Sequence, residues 1–591
     1  MRRWGLDSAG FLGSCPSPRI QMPWMLLVVF GGLLIFWDNG IYRDCLEEEN
    51  SCVGKLLSHP VGDGFLRNRE PEDNTNSLKD GRKVTLQREG GIKTIYSDSP
   101  DVYKTIAVEA AVGFNDTILL LLNASFSGLN AAFHQKRGHK IKCLFAREVK
   151  TRVLVVEDEF VLCQDPLDSF PNSTVGFDVS LQIDNSFLRS SAIYGHMMWT
   201  KLVYGSVLFE GEGDLLIFVK GLSRMKRSVL PDGLECQYGN KIRTQVVSFC
   251  QENVRCKLPP PQNWQELNGK EVTVALRNQI FHSVVRFTPS HIHHSNYRVA
   301  PNESKERPHF LCVCTLVWNG AKFLKEWIMY HSYIGVQKFF IYDNNSDDEI
   351  ESVLESLHYY NVSRHPWPWV KTQEASFSHC MARASNQCVW VAFIDVDEFI
   401  FPKNLSSFNK DRTMEAPLHS LIKQHDLLHN GKLGQLKVSN FNFGPSGLTT
   451  LPRSGQMVNY ICRMKVPKRV KSIVRASAVD SSYCSRVHYF DLKVGYVSGN
   501  ARRKDAVIHH YKWHVWQDFK LKFARRAATY VTDWGQNKDL DSFDRTPGLG
   551  TQPIEPHDWI HQFCEIKDTS LRDLITNASR LHAAGKLLWE R

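Results

Sequence analysis

The sequence predicts an α/β domain on a parallel sheet, preceded by a β-rich, sandwich-like region and a single transmembrane helix. Three observations carry this. From Phe310 onward strand-like and helix-like runs alternate, the order of βαβ units with right-handed crossovers. Between about Lys104 and Pro289 the apolar runs are short and broken by turns, as in an all-β sandwich. Near the N-terminus Ile20 to Trp37 carries no charge, a length at the short end of what spans a bilayer.

A chain of 591 residues exceeds one core and implies roughly two to four domains. In order, the reading is a cytosolic tail (1–19), an anchor (20–37), a stem (38–98), a β-rich domain that could bind carbohydrate (99–300), an α/β catalytic domain (301–535) and a C-terminal extension packed on it (536–591). Arg2, Arg3 and Arg19 precede the apolar stretch, and Asp38, Asp44, Glu47, Glu48 and Glu49 follow it. The positive-inside rule then puts the tail in the cytosol and the rest in a lumen. The stretch is longer than a usual signal-peptide core and lacks a small-x-small cleavage site close behind it, which favours an uncleaved anchor.

Of the 15 cysteines only Cys15 falls in the tail. None of the others forms a Cys-x-x-Cys zinc pattern, so disulfides are expected, for example among Cys236, Cys250 and Cys256. Glycosylation acceptors occur at Asn115, Asn123, Asn172, Asn302, Asn361, Asn404 and Asn577, which fits a secretory-pathway chain. The net charge of +10 suits an anionic substrate or an acidic surface. No RNP, zinc-finger or helix-turn-helix pattern accompanies it, so nucleic acid is set aside.

Within the α/β region Phe310–Val317 reads as a buried strand, and Ala321–Tyr333 as a helix with Phe323, Leu324, Trp327 and Ile328 on one face. Lys338–Tyr342, the amphipathic Asp347–Leu357, the helix Ser376–Ala384 and the strand Val389–Ile394 follow. In such sheets ligands bind at the carboxyl ends of the strands. There lie Trp318-Asn319-Gly320, Asp343-Asn344-Asn345-Ser346 and Asp395-Val396-Asp397-Glu398. Asp395 and Asp397, two apart, share one side of an extended backbone, with Glu398 pointing the other way. Their repulsion calls for a cation, and a divalent one leaves positions for phosphate oxygens. An isolated Asp-x-Asp is more often a plain acidic turn; the buried strand before it reverses that weighting here. No Gly-x-Gly-x-x-Gly or Walker loop is present. A haloacid-dehalogenase-type phosphohydrolase would need Ser or Thr two past the second Asp, where this chain has Phe399.

Cys314-Thr315-Leu316-Val317-Trp318-Asn319, Glu326-Trp327 with Tyr330-His331, Gly335-Val336, Ile341 to Ser346, Phe393 to Phe399 and His509-His510-Tyr511 together resemble glycosyltransferase family 92. Arg545 to Thr551 and Asp558-Trp559 resemble its plant branch, similar to pectic β-1,4-galactan synthases. The resemblance implies a GT-A type nucleotide-sugar-binding sandwich in a single-pass type II Golgi membrane protein with a lumenal catalytic domain. It implies transfer of a hexose, galactose first, from a UDP-sugar with inversion onto a cell-wall polysaccharide such as β-1,4-galactan. Transfer to a glycoprotein N-glycan, or an inactive glycan-binding scaffold of the same fold, are the alternatives.

Carried over by residue, Asp395 and Asp397 would hold Mn²⁺ with a C-terminal histidine, His510 first and His509 and His514 behind it. Thr315, Trp318, Asn319, Asp343 and Asn345 would face the nucleotide, although Asp343 could equally stabilise its own turn. Glu326 and His331 are read as pocket or packing residues, packing favoured. Arg463, Lys465, Lys468, Arg469, Arg502, Arg503 and Lys512 are the cations considered for the diphosphate. The base that inversion requires is sought among Asp480, Asp505 and Asp518. The expected partners are the UDP-sugar, a glycan acceptor and a membrane, with a homodimer left open.

Overall fold

The computed structural model describes residues 108–114, 117–122, 141–145, 149–166, 179–183, 186–188, 197–209, 213–222, 230–289, 307–411, 413–530, 555–580 and 586–590. The tail, anchor and stem, with Asn115, Asn123, Asn172 and Asn302, lie outside them. Among the described residues no helix is long and apolar enough to cross a membrane.

The region expected to form one sandwich is two eight-stranded units in tandem. The first runs from Val108–Gly113 to Met197–Met198, the second from Leu202–Phe209 to His282–Ser283. Numbered separately in chain order, the strands of both units are arranged 7-6-3-4-5-2-1-8. Each unit has its own core, around Leu120, Val161 and Leu181 in the first and Ile217, Val254 and Val274 in the second. Short half-buried strands announce themselves by alternation, but alternation does not say which sheet a strand joins, and the division was invisible for that reason.

The α/β domain is organised on a nine-stranded mixed sheet. Its elements, numbered here from its first strand, are β1 (His309–Val317), α1 (Ala321–Tyr333), β2 (Lys338–Asp343), α2 (Ile350–Ser356), β3 (Val362–Pro366), α3 (Gln373–Ala384) and β4 (Cys388–Phe393). There follow β5 (Glu398–Pro402), α4 (Leu405–Lys410), α5 (Pro417–Leu428), β6 (Leu433–Asn442), α6 (Gln456–Asn459), β7 (Arg469–Arg475), β8 (Val497–Asn500), β9 (Ala506–His510) and α7 (Trp516–Tyr530). The order across the sheet is β3-β2-β1-β4-β7-β6-β9-β5, with β8 beside β6. The β1–β2 and β1–β4 pairs are parallel as predicted; β3, which the sequence reading did not include, joins β2 in parallel, whereas β7 joins β4 antiparallel and β5 joins β9 antiparallel.

Phe323, Leu324, Trp327 and Ile328 are buried on α1, the face the spacing predicts. That helix also covers the free edge of β5. Trp327 Nε1 donates to the Glu398 carbonyl (3.0 Å) and the Tyr330 hydroxyl to that of Ile400 (2.7 Å). An edge strand buried without such donors would leave carbonyls unpaired, each costing about 1–3 kcal/mol.

Cys312 and Cys314 share a face of β1 and join Cys388 and Cys380, fastening β1 to β4 and to α3. Cys143–Cys163 and Cys236–Cys256 close the two β units, and Cys250–Cys484 links the second unit to the α/β domain. Cys462–Cys564 holds the C-terminal extension, whose Leu571, Ile575 and Trp589 enter the α/β core. Its helix spans Ser570–Arg580. The extension therefore packs on the α/β domain.

Candidate active site at the carboxyl ends of the sheet

Asp395, Val396 and Asp397 form the turn between β4 and β5 rather than a continued strand. The two carboxylates therefore do not stand side by side as expected from an extended strand, because a turn does not keep the period of two. Each aspartate takes partners of its own. Asp395 accepts from Lys471 Nζ (2.9 Å) and Gln373 Nε2 (3.3 Å). Asp397 is paired with the Lys522 ammonium, and its Oδ2 lies 3.5 Å from His510 Nε2.

Glu398 belongs to the same cluster, a correction to the reading that turned it away. Its Oε2 accepts from the Asp395 amide (2.9 Å) and lies 3.1 Å from Lys471 Nζ. Its Oε1 accepts from Asn440 Nδ2 (2.7 Å) and faces His510 Nδ1 at 3.7 Å. The β5–β9 register, Glu398 opposite His510, sets this meeting. Burial pushes the Glu398 carboxyl up against the opposing pull of Lys471. Burial acts the same way on Asp397, yet the charges of Lys522 and His510 hold it well below the carboxylate range.

Of the three histidines considered, His510 alone lies against these carboxylates. His509 is packed among Phe401, Phe443 and Tyr511, and burial lowers it to about 3. His514 stacks on Phe323 (4.8 Å between centroids) with Nε2 against Gln456 Oε1 (2.8 Å), and burial lowers it to about 3 as well. A carboxylate oxygen and an imidazole nitrogen at this separation are a donor pair that Mn²⁺ accepts. The residues therefore fit a divalent ion at Asp397 and His510, with the Lys522 ammonium standing where a cation would. Asp395 does not join them: among the described residues the tight three-residue cluster of possible ligands is Cys250, Cys484 and Asp491, whose cysteines are bonded to each other.

The loops after β1 and β2 close on the same turn. A Cβ on Gly320 would stand 3.3 Å from Val396 Cγ2, so the β1–α1 turn lies against the middle residue of the acidic turn. Ser346 Oγ accepts from the Asn319 amide (3.0 Å), and Asn319 Nδ2 donates to Asp347 (2.5 Å). Asn345 donates to the Pro368 carbonyl (3.0 Å), and Trp318 is half-buried. Thr315 is wholly buried inside β1, which removes it from any nucleotide-facing surface. Asp343 is committed as well: Oδ1 takes the Ser346 amide (3.0 Å) and Oδ2 takes Arg364 Nε (2.9 Å) and Nη2 (2.6 Å). It holds its own turn, the second of the two roles considered for it.

The base candidates separate clearly. Asp480 caps the Ser482 turn, and Asp505 pairs with Arg502 and His425 at the far end of β9. Asp518 lies on α7 one turn before Lys522, paired with Lys322, and its Oδ2 is buried without a hydrogen-bond partner. Of the cations considered, Arg463 pairs with Asp568 and Arg502 with Asp505. The lysines on the acidic turn, Lys471 and Lys522, were both missed. Lys471 alternates in phase with the buried Ile473, and Lys522 follows Phe519 by three; a lysine on an apolar face was the available signal.

Glu326 and His331 are structural. His331, lowered by burial to about 3, places Nδ1 on the Trp327 carbonyl (2.8 Å). Glu326 accepts from the amides of Gln456 (2.7 Å) and Met457 (2.9 Å), so it seats α6 and, through Gln456, His514. Gly455 (φ +98°) is required beside it, since a Cβ there would meet the carboxylate at 2.6 Å. Burial pushes the Glu326 carboxyl up to about 7. A folded value above the unfolded one means that its stabilisation is full below about 4.5 and is lost as pH rises through about 7. Glu326→Gln should flatten that fall in Tm across the window; an unchanged pH profile would refute the assignment.

A family model, Glycosyltransferase family 92, matches residues 307–543, the α/β domain just described. A glycosyltransferase family 92 protein of Arabidopsis thaliana is 38% identical over 520 residues, covering 83% of this chain and 85% of that protein. One of Ricinus communis is 38% identical over 512 residues, 82% of this chain and 87% of its own. Among solved structures, Staphylococcus aureus TarS 1–349 aligns over 40% of this chain and 74% of its own, at 12% identity and a TM-score of 0.22. The extent and identity of the plant matches settle the matter: the chain belongs to glycosyltransferase family 92, and its chemistry is glycosyl transfer.

Proposed function

We propose that this protein transfers a hexose, galactose first, from a UDP-sugar with inversion onto a cell-wall polysaccharide such as β-1,4-galactan. The observation that carries the reading is the meeting of Asp397, His510 and Lys522 at the sheet's carboxyl end, inside the family segment. Asp397 and His510 would hold Mn²⁺, which when bound supplies charge to the diphosphate of the leaving UDP. Lys522, with its side chain 46% exposed, is free to move onto a phosphate oxygen, and a charge-assisted contact there strengthens as the leaving group gains charge. The turns at Trp318-Asn319-Gly320 and Asn344-Asn345-Ser346 form the donor-side wall. Asp518 is the base, one helical turn from Lys522, accepting the acceptor hydroxyl's proton as that oxygen attacks the anomeric carbon.

A single-pass type II Golgi protein with this domain in the lumen accords with six disulfides among the described residues. Asn361 and Asn577 are exposed and open to glycosylation, whereas Asn404 is half-buried with its amide on the Pro417 carbonyl (3.3 Å). A second reading, in which Lys471 and Lys522 alone neutralise the site, is favoured by their positions on the two aspartates. Sugar transfer from UDP-galactose to galactan oligosaccharides, assayed with chelator and again with added Mn²⁺, decides between them. Loss with chelator and recovery with Mn²⁺ is expected. Transfer that survives chelation selects the lysine reading, and a protein that neither binds UDP nor turns over a UDP-sugar sinks both.

A further inference from the structure

We infer that the two β units are copies of one fold, and that the same hairpin of each copy is used to position the active site. Besides the shared strand order, each copy carries a disulfide between its third and fifth strands, with a sequence separation of 20 in both. Setting Cys143 on Cys236 also sets Cys163 on Cys256, and without a gap it matches Thr151 with Thr244, Val153 with Val246, Glu159 with Glu252 and Val161 with Val254. The hairpin between the fourth and fifth strands is irregular at the same place in each copy, at Val153/Val155 and at Val246/Ser248. On this alignment Glu157 corresponds to Cys250, and both reach the α/β domain.

Glu157 of the first copy grips Arg364 of β3 with two oxygens, at 2.5 and 3.2 Å. Arg364 carries the link to Asp343, Asp343 to the Ser346 amide and Ser346 to the Asn319 amide. That chain orders both donor-side turns, of which the one at Asn319-Gly320 lies on Val396. Glu157 and Asp343 are buried, so water does not compete for the pairs. Cys250 of the second copy is bonded to Cys484, and Asn253 beside it donates to the Ser482 and Tyr483 carbonyls (3.1 and 2.8 Å). The loop so fixed runs to His488, whose carbonyl accepts from Ser472 (2.5 Å), the neighbour of Lys471. One hairpin thus sets the donor side and its copy sets the Asp395 side. The β region is a frame for catalysis, and Glu157 is a positioning residue for the donor.

This rests on the reading that the donor-side turns face a UDP-sugar, and the test separates the two. In the full-length protein, Glu157→Gln should raise KM for the UDP-sugar and Kd for UDP by about 10-fold or more, with kcat changed far less. Glu157→Asp should recover part of the loss. Glu235→Gln, the same change on the exposed pair with Arg243, should leave both constants alone. Amide exchange at Asn319 and Ser346 should accelerate in Glu157→Gln while β1 stays protected. Unchanged KM, Kd and exchange in Glu157→Gln would overturn the inference; if that variant does not fold, the same three readouts are taken on Glu157→Asp. Accelerated exchange in a protein whose wild type binds no UDP would uphold the relay and sink the donor reading instead.

Discussion

Asp397→Asn is expected to abolish glycosyl transfer and to leave the chain folded, the largest effect on activity the site predicts. The substitution keeps the volume and the backbone carbonyl, which accepts from the Tyr511 amide (2.8 Å), so the β5–β9 junction is undisturbed. What it removes is the single negative charge that His510 and Lys522 share. A neutral amide cannot replace it for a divalent ion, and it would turn an N–H donor toward one of two donors. Losing one preorganised electrostatic partner typically costs about 10²–10³-fold in kcat, and a lost metal site costs at least as much. The chain stays folded because the orphaned Lys522, already half in water, can resolvate. Turnover of the UDP-sugar and thermal unfolding, measured on the same preparation, check both halves. Activity within a few-fold of wild type would remove Asp397 from the reaction.

The contrast with Lys471 shows what could be read in the sequence and what could not. The elements β1, α1, β2 and β4 were placed to within a residue or so because their apolar period is local and strong. The carboxyl-end location of the site followed from their order alone. The conformation of the acidic turn did not follow, since it is set by Glu398 folding back on the Asp395 amide and by β9 arriving opposite. Asp343 looked available because its partner Arg364 lies on a different strand and is itself held from another domain. Lys471 and Lys522 looked like solvated charges because lysine usually is one. The duplicated β region shares few residues between its copies, and only the equal spacing of Cys143–Cys163 and Cys236–Cys256 would have disclosed it.

The largest effect on stability is expected at Lys471. Its side chain is 3% exposed, and its ammonium lies between Asp395 and Glu398, at 2.9 and 3.1 Å. Burial alone would lower its pKa, but the two carboxylates outweigh that and raise it, so it is charged at every working pH. Lys471→Met keeps most of the packing and removes the charge. Asp395, 31% exposed, can turn to water, whereas Glu398, 1% exposed, cannot. Leaving one partner of a buried pair unmatched costs about 3–5 kcal/mol, which is a fall in Tm on the order of 10 °C. Glu398 can escape only by taking a proton. Its carboxyl, already raised by burial, then rises further, so the variant is most nearly normal in acid and loses stability as pH climbs toward neutrality. Adding Glu398→Gln to Lys471→Met should therefore restore much of the loss at neutral pH, a coupling that independent sites would not show. Tm measured against pH for the three proteins settles it. A Lys471→Met protein as stable as wild type at neutral pH would mean that Glu398 is neutral there already, and that Lys471 balances Asp395 alone.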